Sequence, residues 1–347
     1  MNPLRTSRQK LIAALLAALA AFAGYLIQAE KEPEPTPVGS TSEPGVRSFG
    51  WVSDPAAVAA VKATLPCPDF RSTEAYRTGR DGPDDVYLWN ACRQATGALL
   101  PPRDQGQVGA CVGFGTASAI EHLLCLQIAA GRSETYRDLA PEAIYAGSRV
   151  EIGGGRISGD GSVGAWAARF VREYGILPRD RYPDVDLTRY DERRCRELGR
   201  VGLTPSLERQ ARQHPVKAVA AVRSWDEARA AIRNGYPIAV CSSQGFQMQR
   251  DADGFCRAEG VWMHCMALVG IRGGRRPGGF LLNSWGADAH TGPRGVGDPS
   301  PAGFWVEARV LDRMLAEGDS WAFSEAVGFP GRRLDWYLLA GADPSHS

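Results

Sequence analysis

The strongest constraint on the fold of this chain is a change of sequence pattern near Lys217. Before it, apolar residues recur at helical spacing, for example in 117–128, 139–145 and 165–174. After it, short apolar runs separated by glycine and proline predict strands, including Pro237–Ser242 and Cys265–Arg272. Helices followed by strands indicate an α+β fold, and we expect two lobes.

The N-terminus differs from everything that follows. Arg5, Arg8 and Lys10 precede seventeen uncharged, mostly apolar residues, Leu11–Ile27. A basic flank before an apolar stretch is typical of a secretory signal, and seventeen residues also reach the lower limit for a membrane-spanning helix. Residues 1–29 are therefore predicted to be a cleaved signal peptide or a retained anchor. Either one places the rest of the chain outside the cytoplasm, and residues 11–27 predict membrane association.

Two further segments precede the main domain. Residues 30–48 are rich in Pro, Glu, Ser and Gly and almost free of apolar residues, which predicts an extended linker. Residues 49–100 carry Trp51, Phe70 and Trp89, so we expect this segment to pack on the main domain. The main domain is predicted to span 101–330 and to be followed by a tail, 331–347.

Composition excludes several classes of function. The formal net charge is +1, which gives no electrostatic reason to expect a nucleic-acid partner. Neither GxxxxGK nor HExxH occurs, and the spaced pair His122 and Cys125 offers only two metal ligands, so no metal or organic cofactor is expected. Of eight cysteines, seven remain if one must stay free, and an odd number cannot all pair.

The candidate nucleophile is Cys111, in the stretch DQGQVGACVGF. It follows Gly109 and Ala110 and stands at the start of a helical pattern. The positive end of a helix dipole favours thiolate over thiol, so we expect a lowered pKa. Gln105, six residues earlier, offers a side-chain amide beside the sulfur. These groups favour acyl-transfer chemistry, which also needs a base and an orienting partner.

His264 and Asn283 are the candidates for those two roles. His264 opens an apolar strand, and Asn283 ends the next strand after a glycine-rich turn. Adjacent antiparallel strands bring such residues side by side. An amide can orient an imidazole without neutralising it, and Trp285 can cover their hydrogen bond and exclude water. Alone, His264 would more often be a packed residue and Asn283 part of a turn.

Together, the order Gln, Cys, His, Asn resembles that of the papain-like cysteine peptidases over about residues 101–329. Cys111 and His264 are 153 positions apart and His264 and Asn283 are 19 apart. The family signature C-G-[SA]-C-[WY], with His and Asn about 130–150 residues downstream, corresponds here to Val108-Gly109-Ala110-Cys111-Val112, which departs from it at both flanks and has a somewhat longer downstream spacing. The glycine, the small residue and the nucleophile are kept. Val108 excludes the family's disulfide at that position, and Met263 precedes the histidine where relatives often carry Asp or Asn.

The resemblance implies a helical lobe and an antiparallel, barrel-like lobe, with the active site in the cleft between them. It implies that 101–330 is a catalytic domain hydrolysing peptide bonds through a thioester, with Cys111, His264, Asn283 and Gln105 as catalytic residues. By order and loop character, Asp160-Gly161-Ser162 resembles the family's substrate-binding wall, and Trp285 is a further candidate for substrate binding.

Protein or peptide substrates and a monomer are expected. A non-catalytic peptide-binding module and a transpeptidase remain alternatives. Residues 49–100 do not resemble the long helical propeptide of many relatives, which leaves the means of latency open.

Overall fold

A computed structural model describes residues 48–332 and 334. The predicted signal or anchor, the linker up to residue 47 and nearly all of the tail lie outside the described residues. The described helices are α1 (Pro55–Lys62), α2 (Glu74–Thr78), α3 (Trp89–Thr96), α4 (Cys111–Ala129), α5 (Pro141–Gly147), α6 (Gly164–Glu173), α7 (Glu192–Val201), α8 (Pro205–Ala211), α9 (Trp225–Arg233) and α10 (Ala308–Ala316).

Within the described part of the chain, seven antiparallel strands form a single sheet. The strands are β1 (Val86–Tyr87), β2 (Ala218–Ala221), β3 (Ile238–Arg250), β4 (Cys256–Arg272), β5 (Gly278–Leu282), β6 (Gly303–Glu307) and β7 (Trp321–Ser324). Their order is β2-β7-β3-β4-β5-β6, and β1 pairs with β4. The long β3–β4 pair carries bulges beyond Ser242, so the sheet bends there. Helices thus dominate the first half of the domain and strands the second, which confirms the predicted α+β fold.

Helix α4 is the central helix and is buried along most of its length. It packs against α3, α5 and β4. Two glycines allow that close approach. A Cβ on Gly115 would lie 2.9 Å from the Cys265 sulfur, and one on Gly113 would lie 2.6 Å from the Pro141 carbonyl oxygen. The packing therefore presses the N-terminal turn of α4 against the middle of β4.

The length and apolar character of α4 would also suit a membrane span, but 89% of its most apolar window is buried inside the domain. Among the described residues no other helix meets that test. It is the core helix of this fold.

Residues 49–100 pack on the sheet and on α6. Strand β1 extends the edge of β4, and α1 lies against α6. Trp89 stacks on Tyr87, with ring centroids 4.9 Å apart, and meets Trp305 edge-on. Phe70 is fully buried against Tyr236 and Phe329. Burial of these rings gives the segment apolar attachment to the domain.

Candidate active site

Cys111 is the first residue of α4 and is fully buried. The backbone N–H groups of Cys265, Gly50 and Val112 face its sulfur. Val112 belongs to the first turn of the helix, where N–H groups lack partners within the helix. Cys265 follows His264 on β4, so the sulfur lies beside the backbone that carries the imidazole.

The imidazole of His264 and the amide of Asn283 are in direct contact. His264 lies on β4, and Asn283 directly follows β5, its antiparallel neighbour. The His264 Nε2 atom lies 2.8 Å from Asn283 Oδ1. Asn283 Oδ1 also accepts the backbone N–H of Ser284 at 2.8 Å. A backbone N–H can only donate, so the atom facing it must be the amide oxygen.

That assignment fixes the proton on His264. Because Asn283 Oδ1 accepts, Nε2 must carry the hydrogen, which leaves Nδ1 of the neutral ring free to accept a proton. Nδ1 is buried, and none of the described residues gives it a hydrogen bond. The Trp285 ring lies over the imidazole, with centroids 4.5 Å apart.

Gln105 is held on both sides of its amide. Its Oε1 accepts the Ser284 hydroxyl at 2.6 Å. Its Nε2 donates to the Val108 carbonyl at 2.9 Å and to the Ser48 carbonyl at 3.1 Å. Ser284 therefore fixes which end of the amide faces the cleft, and the N–H₂ end is the one presented to a peptide carbonyl.

The Ser48 carbonyl, one of the two that the Gln105 amide binds, belongs to residues 48–52 of the same chain, which we call the covering segment. Gly50 and Trp51 donate their backbone N–H groups to the Met263 carbonyl at 3.0 and 2.9 Å. Val52 donates to the Ser162 carbonyl at 2.9 Å, and Ser162 donates to the Gly50 carbonyl at 2.8 Å. An extended peptide thus lies between the loop of Ser162 and strand β4, directly over Cys111.

Side chains of the covering segment extend these contacts. The Phe49 ring meets Trp262, His264 and Trp285 with centroid distances of 6.3, 6.1 and 5.7 Å. The Trp51 side chain is buried elsewhere, away from these three rings, and donates its indole N–H to Asp319 Oδ2 at 2.8 Å. The same carboxylate accepts the Gly164 N–H at 2.8 Å and the Trp321 indole N–H at 2.8 Å.

Burial sets the protonation of the pair in this closed form. It raises the pKa of the Cys111 thiol well above its usual range, although the backbone N–H groups of Cys265, Gly50 and Val112 oppose the shift. Burial lowers the pKa of His264 to about 4, against the smaller opposing effect of its bond to Asn283. Both groups are therefore neutral at pH 7. The expected depression of the Cys111 pKa is wrong for the closed form, because loss of hydration outweighs the helix terminus.

The predicted wall residues lie along the covering segment. Gly161 and Ser162 lie beside Gly50 and Val52. Asp160 accepts the Gly109 N–H at 3.0 Å and lies 3.5 Å from Arg196 Nε. Its carboxylate therefore stabilises the backbone at Gly109, two residues before Cys111. Residues that the sequence interpretation did not single out are Ser284, Asp319 and His290, which lies beside Asn283.

All eight cysteines are free thiols. Among the described residues, no group of three His, Cys, Asp or Glu side chains is arranged to hold a metal ion.

No protein-family model and no curated protein matches the chain. Several solved structures are similar. Xylellain, a cysteine protease from Xylella fastidiosa, is 17% identical with a TM-score of 0.47, over 81% of this chain and 94% of that one. Procathepsin L 3 from the larval midgut of Tenebrio molitor is 18% identical with a TM-score of 0.47, over 77% and 79%. Procathepsin B S9 from Trypanosoma congolense is 16% identical with a TM-score of 0.47, over 82% and 87%.

Proposed function

We propose that this chain is a papain-like cysteine peptidase whose cleft is closed by its own covering segment. One observation carries the proposal. The Ser284 N–H and the Asn283 oxygen fix the His264 ring with its proton on Nε2, which leaves the acceptor atom Nδ1 without a hydrogen bond among the described residues. The Cys111 sulfur faces the backbone N–H of Cys265, the residue that follows His264 on β4. A nucleophile, a base and an orienting amide are thereby assembled from three distant parts of the chain.

The chemistry follows from these positions once a substrate replaces the covering segment. The Cys111 thiol gives its proton to His264 Nδ1, and the sulfur attacks the scissile carbonyl carbon. The Gln105 amide and the Cys111 backbone N–H donate to the oxyanion; one such donor is worth about 3–4 kcal/mol. The C–N bond breaks as His264 protonates the leaving amine, which leaves a thioester. His264 then takes a proton from water, and hydroxide addition releases the acid and the thiol.

The covering segment supports a peptide as the substrate class. It occupies the cleft as an extended backbone, with hydrogen bonds to Met263 and Ser162 and a carbonyl on Gln105. Backbone pairing of this kind recognises peptides largely independently of sequence. It also explains latency, since Cys111 and His264 are 0% and 1% exposed. Cleavage or displacement of the segment is the step that activates the enzyme.

The test uses the full chain with Gly50→Ala. A Cβ at this position would lie 1.9 Å from the Gly109 carbonyl oxygen, so the substitution displaces the covering segment. We expect this chain to hydrolyse an unfolded protein substrate and Cys111→Ala in the same background to be inactive. At pH 5 a limiting alkylating agent should label Cys111 faster than the half-exposed Cys67. Hydrolysis that survives Cys111→Ala, or labelling no faster than at Cys67, contradicts the proposal.

Adding a primary amine to the same assay separates hydrolysis from transpeptidation. A hydrolase releases the free acid, whereas a transpeptidase transfers the acyl group to the amine. Labelling at pH 5 without any turnover would identify a peptide-binding module instead.

A further inference from the structure

Asn283 has a second buried neighbour, on the side away from His264. Its Nδ2 atom lies 3.0 Å from Nε2 of His290. The Ser284 N–H requires the amide oxygen on one side, so the amide nitrogen must face His290. An amide nitrogen only donates, and His290 Nε2 therefore has to accept. The neutral ring then carries its hydrogen on Nδ1.

His290 is itself firmly held. It is 3% exposed, and its ring lies 4.5 Å from that of Phe304. Its Nδ1 lies 3.8 Å from the Cys256 sulfur, the acceptor that the required hydrogen would face. Its carbonyl accepts from Arg250 Nη2 at 2.9 Å, and this buried guanidinium also binds the carbonyls of Pro301 and Gly303. The imidazole thus has a fixed place and a fixed direction.

We propose that His290 is a positioning residue that holds the Asn283 amide in the orientation that His264 needs. If the amide turned over, its N–H₂ would face the Nε2–H of His264, and two donors would meet. The ring would then lose its preferred tautomer, and Nδ1 would no longer be the proton acceptor. His290 opposes that rotation when its hydrogen sits on Nδ1, facing the Cys256 sulfur, because Nε2 then presents a lone pair that the amide oxygen cannot approach favourably. This inference rests on the proposed function for its effect on turnover, but the tautomers can be observed without it.

The first experiment measures tautomers by ¹⁵N–¹H NMR of the full chain labelled at histidine, near pH 7. We expect His290 as the Nδ1–H form and His264 as the Nε2–H form. His290→Gln and His264→Gln variants assign the signals. Finding His290 as the Nε2–H form would overturn the proposal whatever the enzyme does.

The second experiment compares His290→Gln with His290→Leu in the Gly50→Ala chain. Gln keeps an oxygen that can accept from Asn283 Nδ2, whereas Leu removes the acceptor. We expect Leu to lower kcat by roughly 10–100-fold, by analogy with the loss seen when a partner that orients a metal-ligating side chain is removed. KM should change by no more than about threefold, and Gln should restore most of kcat.

Two results refute the positioning role: an unchanged kcat in the Leu variant, or equal losses in the Gln and Leu variants of equal thermal stability. If the parent Gly50→Ala chain itself neither hydrolyses peptide nor labels rapidly at Cys111, the proposed function fails instead. The NMR result then still decides whether His290 holds the amide.

Discussion

Replacing Gly50 by alanine should open the cleft without removing any side chain that packs there. A Cβ built on Gly50 would lie 1.9 Å from the carbonyl oxygen of Gly109 and 2.3 Å from its carbon. Ordinary van der Waals contact begins at about 3.4–4 Å. The contact is with backbone next to the buried start of α4, so the covering segment has to move by roughly 1.5 Å.

A displacement of that size breaks the bonds that hold the covering segment. Four backbone hydrogen bonds, 2.8–3.0 Å long, join Gly50, Trp51 and Val52 to Met263 and Ser162. Each contributes about 0.5–1.5 kcal/mol net, so their joint loss is worth about 2–6 kcal/mol. At 1.4 kcal/mol per factor of ten, the open fraction should rise between about 30-fold and 10⁴-fold.

The assay is the rate of Cys111 alkylation at pH 5, followed by mass spectrometry. Labelling requires the open form, so its rate follows the open fraction when opening is fast. Gly159→Ala is the matched control. It lies in the neighbouring loop, its φ is not positive, and a Cβ there meets nothing within 4 Å. A Gly50→Ala chain that is folded and labels at the wild-type rate would refute the claim that the covering segment limits access.

Three further predictions concern the site and its support. Gln105→Ala in the open chain should lower kcat by roughly 10²–10³, as for loss of an oxyanion donor, and an unchanged kcat in steady-state assays argues against that role. Glu121→Ala leaves the guanidinium of Arg103 and the Leu139 N–H without their buried acceptor, and urea unfolding should show a loss of about 3–5 kcal/mol. Burial lowers the pKa of His122 to about 4, so the unfolded chain binds its proton more readily and stability falls as pH drops from about 6.5 to 4. His122→Gln should reduce by about 3 kcal/mol the loss of unfolding free energy between pH 6.5 and 4. A plot of unfolding free energy against pH with the same slope as the parent chain would contradict this prediction.

The contacts that the sequence predicted are those set by local pattern. An apolar strand beginning at His264, a glycine turn and a second strand ending at Asn283 determine an antiparallel pair, and the pair brings the two side chains into contact. In the same way, small residues before an apolar helical run placed Cys111 at a helix start. Both depend on periodicity and on turns a few residues long.

The covering segment could not be predicted in this way, because its five residues have no periodicity. Its place depends on hydrogen bonds to Met263 and Ser162, more than a hundred positions away. One local signal existed: Gly50 stands between the aromatic residues Phe49 and Trp51 where a polar stretch ends. The aromatic residues predict an apolar contact for this segment, which Trp51 makes, but not which groove of the domain receives it.

The protonation of Cys111 shows how that missing contact changes the chemistry. A helix N-terminus alone favours the thiolate, worth about 0.3–1 kcal/mol at an exposed site. Burial beneath the covering segment, whose Gly50 N–H faces the sulfur, removes the hydration that a thiolate needs, and this cost is the larger effect. The first turn of α4 therefore holds a neutral thiol in the closed form, and the proposed mechanism expects an ion pair once the covering segment leaves. Under this proposal, reactivity depends on whether residues 48–52 occupy the cleft, which the Gly50→Ala labelling experiment measures directly.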